Sequence, residues 1–432
     1  MARIGCLSLP ETGHLNPLIA VGVELARRGH DVTVFNPPDS EPAVRQAGLG
    51  FHAVGEKGFP AGSTAARNRE LSTLAGIRAS LCSSRWTSRY AEAILSDAPA
   101  RLAARPPDLL VIDQADIAAH SIAAHLGIPV VTVALCLIMN EDPFQPLWGL
   151  DPTPVPPALT PANRHWRSLA TYLMEPYVRC AQRYRERVGL GPAPALGDFW
   201  SRLAQISQQP EGFDFPRLLP DGFHFAGPFC NPSARRPVPF PWDRLDGRPL
   251  VYAAFGSMVN GDLERAAAIA EACDRLDVQL ALSFGGRRPP GALAGLAGDP
   301  IVMSYAPQIE LLARARVMIT HAGLNSVLEC LSAGVPMVAV PITNDEPAIG
   351  ARIAWTRTGV VVPSNACDAP RVQAALEAVL GDPGYREAAG RFQRAIGAGG
   401  LGRAGDIIEQ VLATGRAVTN GRVGDPARDL PA

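Results

Sequence analysis

Charge of one sign is never in excess in this chain: 40 basic residues against 41 acidic leave a formal net charge of −1 over 432 residues. Basic clusters stay as short as the pairs Arg235-Arg236 and Arg287-Arg288, so a phosphate-backbone partner such as DNA is disfavoured. Cysteine is sparse as well. The eight (Cys6, Cys82, Cys136, Cys180, Cys230, Cys273, Cys330, Cys367) are widely separated and form no CxxC spacing, which argues against metal clusters and disulfide frameworks. Long hydrophobic runs are missing too. Ile4 to Leu9 ends at Pro10-Glu11, short of a signal peptide's core, and Ile128 to Met139 contains Pro129; neither can span about 30 Å of hydrocarbon, so a cytoplasmic protein is expected. There is no P-loop lysine pattern, HExxH, GxSxG or Asp-x-Asp pair. Kinases, zincins, lipases and metal-dependent transferases lose support together.

What is present is a globular composition, 47% hydrophobic and 19% charged, long enough for two domains. Glycine and proline, 41 each and without a period, punctuate many short elements. The opening reads as strand (Arg3 to Leu9), loop (Pro10 to Asn16), helix (Pro17 to Arg28) and strand (Asp31 to Phe35), with Leu18, Val21 and Leu25 on one helical face. A strand from Leu109 ends at Asp113, an Ala-rich helix runs to Leu126, and Gly127-Ile128-Pro129 opens the strand Val130 to Ala134. The alternation predicts a parallel sheet with helices on both faces. Asn140 to Asn163, with seven prolines, reads as a long loop, and Cys230 to Pro249 as a linker. After it the βα alternation restarts at Leu250 and includes a strand Val317 to Thr320 and a helix Leu324 to Ala333. The expected fold class is α/β with two doubly wound domains: residues 1–229, a linker 230–249, 250–396, a helical segment 397–414 and a frayed tail 415–432.

Two places suggest chemistry. His321 stands at the carboxyl end of a strand, Gly323 permits a sharp turn, and Asn325 and Ser326 fall on the first turn of a helix. Such an end can bind an anion; the same residues can equally be a capped strand-to-helix turn. His14, in the loop after the first strand, lies where ligand crevices form in parallel sheets, and Asp113 ends another strand on the same side. An imidazole oriented by a carboxylate can take a proton from a hydroxyl at neutral pH. A formal GxGxxG at Gly397 to Gly402 follows a helical pattern instead of a strand, so the dinucleotide reading fails on context.

The stretch HAGLN at His321 to Asp345-Glu346-Pro347, with ARRGHDVT at Ala26 to Thr33, VIDQ at Val111 to Gln114, LAQISQ and DFPR at Leu203 to Arg217, and LPDGFHFAGP at Leu219 to Pro228, resembles the nucleotide-sugar-dependent glycosyltransferases of the GT-B fold. This is the UDP-glycosyltransferase superfamily, and the likeness is strongest to bacterial carotenoid (zeaxanthin) glucosyltransferases. The resemblance covers the whole chain. It implies two Rossmann-like domains facing a cleft, an N-terminal one for the acceptor and a C-terminal one for the donor, with the segment after residue 396 returning to the first. It implies His14 as base and Asp113 as its partner. Tyr305, Ala306 and Gln308 resemble the base and ribose contacts, His321, Gly323, Asn325 and Ser326 the diphosphate cradle, Glu329 the ribose-hydroxyl acceptor and Ser257 the turn that approaches the phosphates. Asp345 and Glu346 align with an acidic-plus-Gln pair that holds the transferred sugar; the second member here is Glu, which leaves the sugar less defined. Phe144 and Trp148 are acceptor-site candidates. The implied reaction is inverting, metal-independent transfer of a hexose, glucose from UDP-glucose first, to a hydrophobic small molecule, with no cofactor, no nucleic acid partner and at most peripheral membrane contact. An epimerase of the same architecture and a non-catalytic nucleotide-sugar-binding module are the rival readings.

Overall fold

The computed structural model describes all residues except 72, 75, 142–147, 151–159, 231–237, 256–262, 286–294, 398 and 421–432. The chain divides into two compact units, Met1–Glu70 with Ile77–Cys230 and Gly399–Ala432, and Leu71–Gly76 with Asn231–Ala398.

The first unit is built from β1 (Arg3–Leu7), α1 (Thr12–Arg27), β2 (Asp31–Asn36), α2 (Glu41–Gln46), β3 (Gly50–Ala53), α3 (Ser63–Leu71), α4 (Gly76–Ala104), β4 (Leu109–Asp113), α5 (Ile117–Leu126), β5 (Val130–Ala134), α6 (Pro161–Arg187), β6 (Gln205–Ser207) and β7 (Phe223–Phe225). Its sheet has the order β3-β2-β1-β4-β5-β6-β7, and its paired strands are parallel. All of β4 is buried, as a strand covered on both faces requires. Leu110 and Ile112 enter one core cluster with Leu7, Tyr90 and Tyr177. Leu109 and Val111 enter the other with Leu18, Val34 and Val133. The winding reverses between β1 and β4, so the carboxyl ends of these two strands border the crevice that such a reversal leaves.

The second unit repeats the plan with β8 (Leu250–Ala254), α7 (Leu263–Asp274), β9 (Gln279–Ser283), β10 (Ile301–Met303), α8 (Gln308–Leu312), β11 (Ala315–Thr320), α9 (Leu324–Ala333), β12 (Met337–Ala339), α10 (Glu346–Trp355), β13 (Gly359–Val361), α11 (Ala369–Gly381) and α12 (Pro383–Ile396). The strand order is β10-β9-β8-β11-β12-β13, again parallel. Here the reversal lies between β8 and β11. Val251, Ala253, Val317, Ile319 and Val338 form its core with Ile269 and Leu376.

The last helix, α13 (Leu401–Thr414), belongs to the first unit. Ala404, Ile408 and Val411 join the cluster that contains Leu18 and Leu25 of α1, and Arg28 donates to Asp406 at 2.7 Å, Glu409 at 2.6 Å and the Gly402 carbonyl at 2.8 Å. Gly400 of the GxGxxG segment is the N-cap of this helix. Gly400 donates to the Pro228 carbonyl at 3.0 Å, and a Cβ on Gly400 would stand 2.0 Å from the Gly227 oxygen, so glycine is needed for backbone approach, not for a pyrophosphate.

Two expectations are corrected. The tail is tied down as far as Asn420: Val418 N–H donates to Leu203 O at 2.8 Å and Asn420 N–H to Asp221 O at 3.0 Å, strand-like pairing that a composition-based reading of fraying overlooks. The first helix begins at Thr12, five residues before Pro17. The Glu11 carbonyl accepts the His14 and Leu15 N–H groups at 2.9 and 2.8 Å; the turn closes without Pro17, whose missing N–H costs a single link further in. Among the described residues no helix is long and apolar enough to cross a membrane.

Candidate active site

His14 lies in the first turn of α1, after β1, and Asp113 is the last residue of β4. The two border the first reversal point. His14 Nδ1 is 2.7 Å from Asp113 Oδ2, with the imidazole side chain 19% exposed and the carboxylate at 0%. Asp113 Oδ1 accepts the Ala115 N–H at 3.1 Å. A carboxylate only accepts, so His14 carries a hydrogen on Nδ1, and in the neutral ring the lone pair is on Nε2. That is the tautomer of a general base whose conjugate acid is stabilised by an adjacent anion.

The turn after Asp113 is held from several sides. Asp116 N–H donates to Asp113 O at 2.9 Å, Trp200 Nε1 to Gln114 O at 2.9 Å and Tyr177 Oη to Ala115 O at 3.0 Å. Tyr177 and Trp200 therefore support the turn, and both are buried in the core with Phe199. Trp148 packs half-buried against the same cluster with a left-handed φ of 53°. Its indole Nε1 is buried without a hydrogen-bond partner among the described residues. Phe144 lies outside the described residues.

In the second unit, Thr320 ends β11 and Gly323 is the N-cap of α9, without a side-chain cap hydrogen bond. The sharp turn is made by Ala322, at φ 67°, and not by Gly323, whose φ is −63°. Gly323 is needed for another reason: a Cβ there would stand 2.4 Å from His321 Nε2. Desolvation pushes the His321 pKa down to about 4, the Ala254 backbone offsetting this only in part. A neutral imidazole thus borders the positive end of a ten-residue helix.

Gln308, Ser326 and Glu329, separate motif positions in the sequence, form one cluster. The Gln308 amide donates to Glu329 Oε2 at 2.7 Å and Ser326 Oγ at 3.3 Å, while its oxygen accepts from Tyr252 Oη at 3.2 Å. Glu329 is buried, 5% exposed, because the Gln308 amide compensates its carboxylate. Ala306 is buried just before α8, and Tyr305 is 55% exposed. Asn325 occupies the first turn of α9. Ser257 falls outside the described residues. Asp345 is the N-cap of α10 without a side-chain cap bond. Glu346 turns inward, one oxygen accepting the Ile342 and Thr343 N–H groups at 2.7 and 2.8 Å, and burial pushes its carboxyl up to about 8. Its contacts fix the loop leading to Asp345.

Residues 204–395 match the family described as UDP-glucoronosyl and UDP-glucosyl transferase. The chain is 28% identical over 428 residues to a zeaxanthin glucosyltransferase of Pantoea ananas, covering 98% of each. It is 29% identical over 434 residues to one of Pseudescherichia vulneris, covering 97% of this chain and 100% of the relative. Over nearly its whole length the chain is thus similar to enzymes of the UDP-glycosyltransferase superfamily. Its fold is GT-B: the solved calicheamicin glycosyltransferase superposes with a TM-score of 0.72 at 24% identity, over 96% of this chain and 99% of that one. The glycosyltransferase of kitacinnamycin superposes at 0.73 with 23% identity, over 95% and 98%. Most of the matched residues lie in the second unit, which also contains Gln308, His321 and Glu329.

Proposed function

We propose that the protein is an inverting, metal-independent glycosyltransferase that moves glucose from UDP-glucose to a hydroxyl of a hydrophobic small molecule, with hydroxylated carotenoids the first candidates. The observation that carries this reading is the His14–Asp113 pair at a reversal point of the first sheet, with Nδ1 2.7 Å from a buried carboxylate. His14 Nε2 takes the acceptor proton as the oxygen attacks the anomeric carbon from the face opposite the nucleotide. The C1–O bond to the diphosphate breaks, and the configuration inverts. Asp113 stabilises the imidazolium that forms. Charge on the departing diphosphate is met by the amino end of α9 and a hydrogen bond from neutral His321, so no metal and no cofactor enter the step. Gln308 and Glu329, already bonded to each other, fit the base and ribose, and Asp345 the sugar hydroxyls.

The acceptor class is supported by the names of two relatives matched over nearly their whole length, both zeaxanthin glucosyltransferases, and by the half-buried Trp148 in the first unit. A mass-spectrometric screen of carotenoid, terpenoid, phenolic and macrolide alcohols against UDP- and TDP-sugars tests it. The expected result is a β-glucoside of a hydroxylated carotenoid from UDP-glucose. Glycosylation of a phenolic or macrolide with no carotenoid product would refute the acceptor, and an α-linked product the single displacement.

A further inference from the structure

Three side-chain amides form one line between the turn after β4 and β6. Gln114, the residue that follows Asp113, accepts the Met139 N–H on Oε1 at 3.0 Å and donates from Nε2 to Asn140 Oδ1 at 2.7 Å. Asn140 donates from Nδ2 to Gln205 Oε1 at 3.1 Å, and Gln205 donates from Nε2 to the Ser201 carbonyl at 3.2 Å. All three residues are buried.

The direction of this line is set by its ends. A backbone N–H only donates and a backbone carbonyl only accepts, so Met139 orients the Gln114 amide and Ser201 orients that of Gln205. Turning any one amide over brings like atoms together at two contacts, and turning all three moves the mismatch to both ends. Buried polar atoms left in that state cost more than the bonds contribute, so the line holds a single arrangement. Its flanks are occupied as well. The Gln114 N–H donates to Val133 O at 2.7 Å, and its carbonyl accepts from Trp200 Nε1 at 2.9 Å. The Asn140 carbonyl accepts from Arg217 Nη1 at 2.6 Å, and the Arg217 side chain is paired at 3.1 Å with an equally buried Asp214.

We propose that Gln114, Asn140 and Gln205 are positioning residues that clamp the start of the acceptor-side segment to the turn that carries Asp113. Trp148 lies eight positions beyond Asn140. It packs against the core cluster that contains Ile112 and Ala115, on either side of Asp113. The carboxylate that orients His14 and the segment that supplies Trp148 are therefore referred to one anchor, Gln114. Apolar side chains could fill the same volume; what the amides add is a fixed spacing between the two segments. The inference rests on His14 as the base and Trp148 as an acceptor contact. It deepens that reading by giving a task to the last residue of VIDQ, to Gln205 of LAQISQ, and to Asp214 and Arg217 of DFPR, which stand outside both the base pair and the donor cluster.

The first test is hydrogen–deuterium exchange, read by mass spectrometry without substrate, in wild type and Gln114→Met. The variant leaves the Met139 N–H without its acceptor, so the peptide containing Met139 is expected to exchange about tenfold faster, with the second unit unchanged. Unchanged exchange at Met139 overturns the clamp. This readout needs no turnover, so it stands apart from any failure of the glycosyl-transfer reading. Kinetics with UDP-glucose and detergent-dispersed zeaxanthin test the positioning role. Gln205→Met, which breaks the line at the end remote from Asp113, is expected to raise the acceptor KM about tenfold with the donor KM unchanged. A loss of folded protein alone would lower the rate and leave both KM values where they are. An unchanged acceptor KM, or an equal rise in both, overturns the positioning role. Should Gln205→Met not fold, the same split in KM is read from Gln114→Met, and its absence there overturns the role instead.

Discussion

At the scale of single residues, the buried acid Glu346 and the buried imidazole of His321 carry opposite pH signatures. Glu346 stands near 8 against an ordinary 4.5, so between those values the folded state binds more protons than the unfolded one. Its stabilising contribution is fully present below about 4.5 and is lost as pH rises through about 8. Glu346→Gln removes this slope while an amide oxygen still accepts the Ile342 and Thr343 N–H groups. Melting temperatures across that range are expected to fall less in the variant; identical curves would reject the buried neutral carboxyl. His321, near 4 against 6.5, works the other way: the unfolded state binds the extra proton, so stability falls as pH drops from about 6.5 to about 4. Gly323→Ala places a Cβ 2.4 Å from His321 Nε2 and must displace the ring. UDP affinity, measured by calorimetry, is expected to fall about tenfold, the size of one lost hydrogen bond to a charged group; unchanged affinity would remove His321 from the phosphate site. Asp113→Asn should lower kcat by about 10²- to 10⁴-fold, because an amide no longer enforces the Nδ1–H tautomer.

Among the elements, the strand Val130–Ala134 and the helix Leu324–Ala333 are legible to the residue, since Gly127-Ile128-Pro129 and Gly334 bracket them and their apolar periods are clean. α4 and α6, of 29 and 27 residues, have no such signature: each carries an internal proline, Pro99 or Pro176, and an Arg-rich exposed face. They are helical because tertiary packing overrides local preference, with Tyr90 and Tyr177 buried against β4. The segment after α13 was expected to be loose and is paired instead, a contact 215 positions distant in the chain from Leu203 to Val418 that no local pattern reveals. A chain ending at Thr414 should therefore be less stable than one ending at Asn420 by about 2–4 kcal/mol, from one buried valine side chain and the two backbone N–H bonds lost. Denaturant titration of the two truncations measures it, and equal midpoints would show that the pairing is dispensable.

At the scale of the whole molecule, the repeated doubly wound plan was readable because βα alternation is a coarse property that survives errors of a few residues at each boundary. The candidate site was readable as separate motifs: His14, Asp113, Gln308 and His321 each stand near a strand or helix end, and Glu329 lies in the helix that follows His321. Their relations were not, because the Gln308–Glu329 bond and the Tyr90 hydroxyl's bonds to the Ser8 carbonyl and Asp116 depend on which helices lie over which strands. If phosphate charge is met by the α9 amino end and His321, turnover should survive exhaustive chelation; loss of activity restored by one divalent ion would refute the metal-free step. The most direct test of the central claim compares wild type with His14→Ala, each given UDP-glucose and detergent-dispersed zeaxanthin, with product quantified by mass spectrometry and UDP binding by calorimetry. Wild type is expected to form the glucoside, and His14→Ala to bind UDP with unchanged affinity while forming product at least about 10²-fold more slowly. Equal rates in the two proteins would contradict His14 as the base. UDP binding without transfer to any hydroxylated acceptor would contradict the glycosyltransferase reading itself.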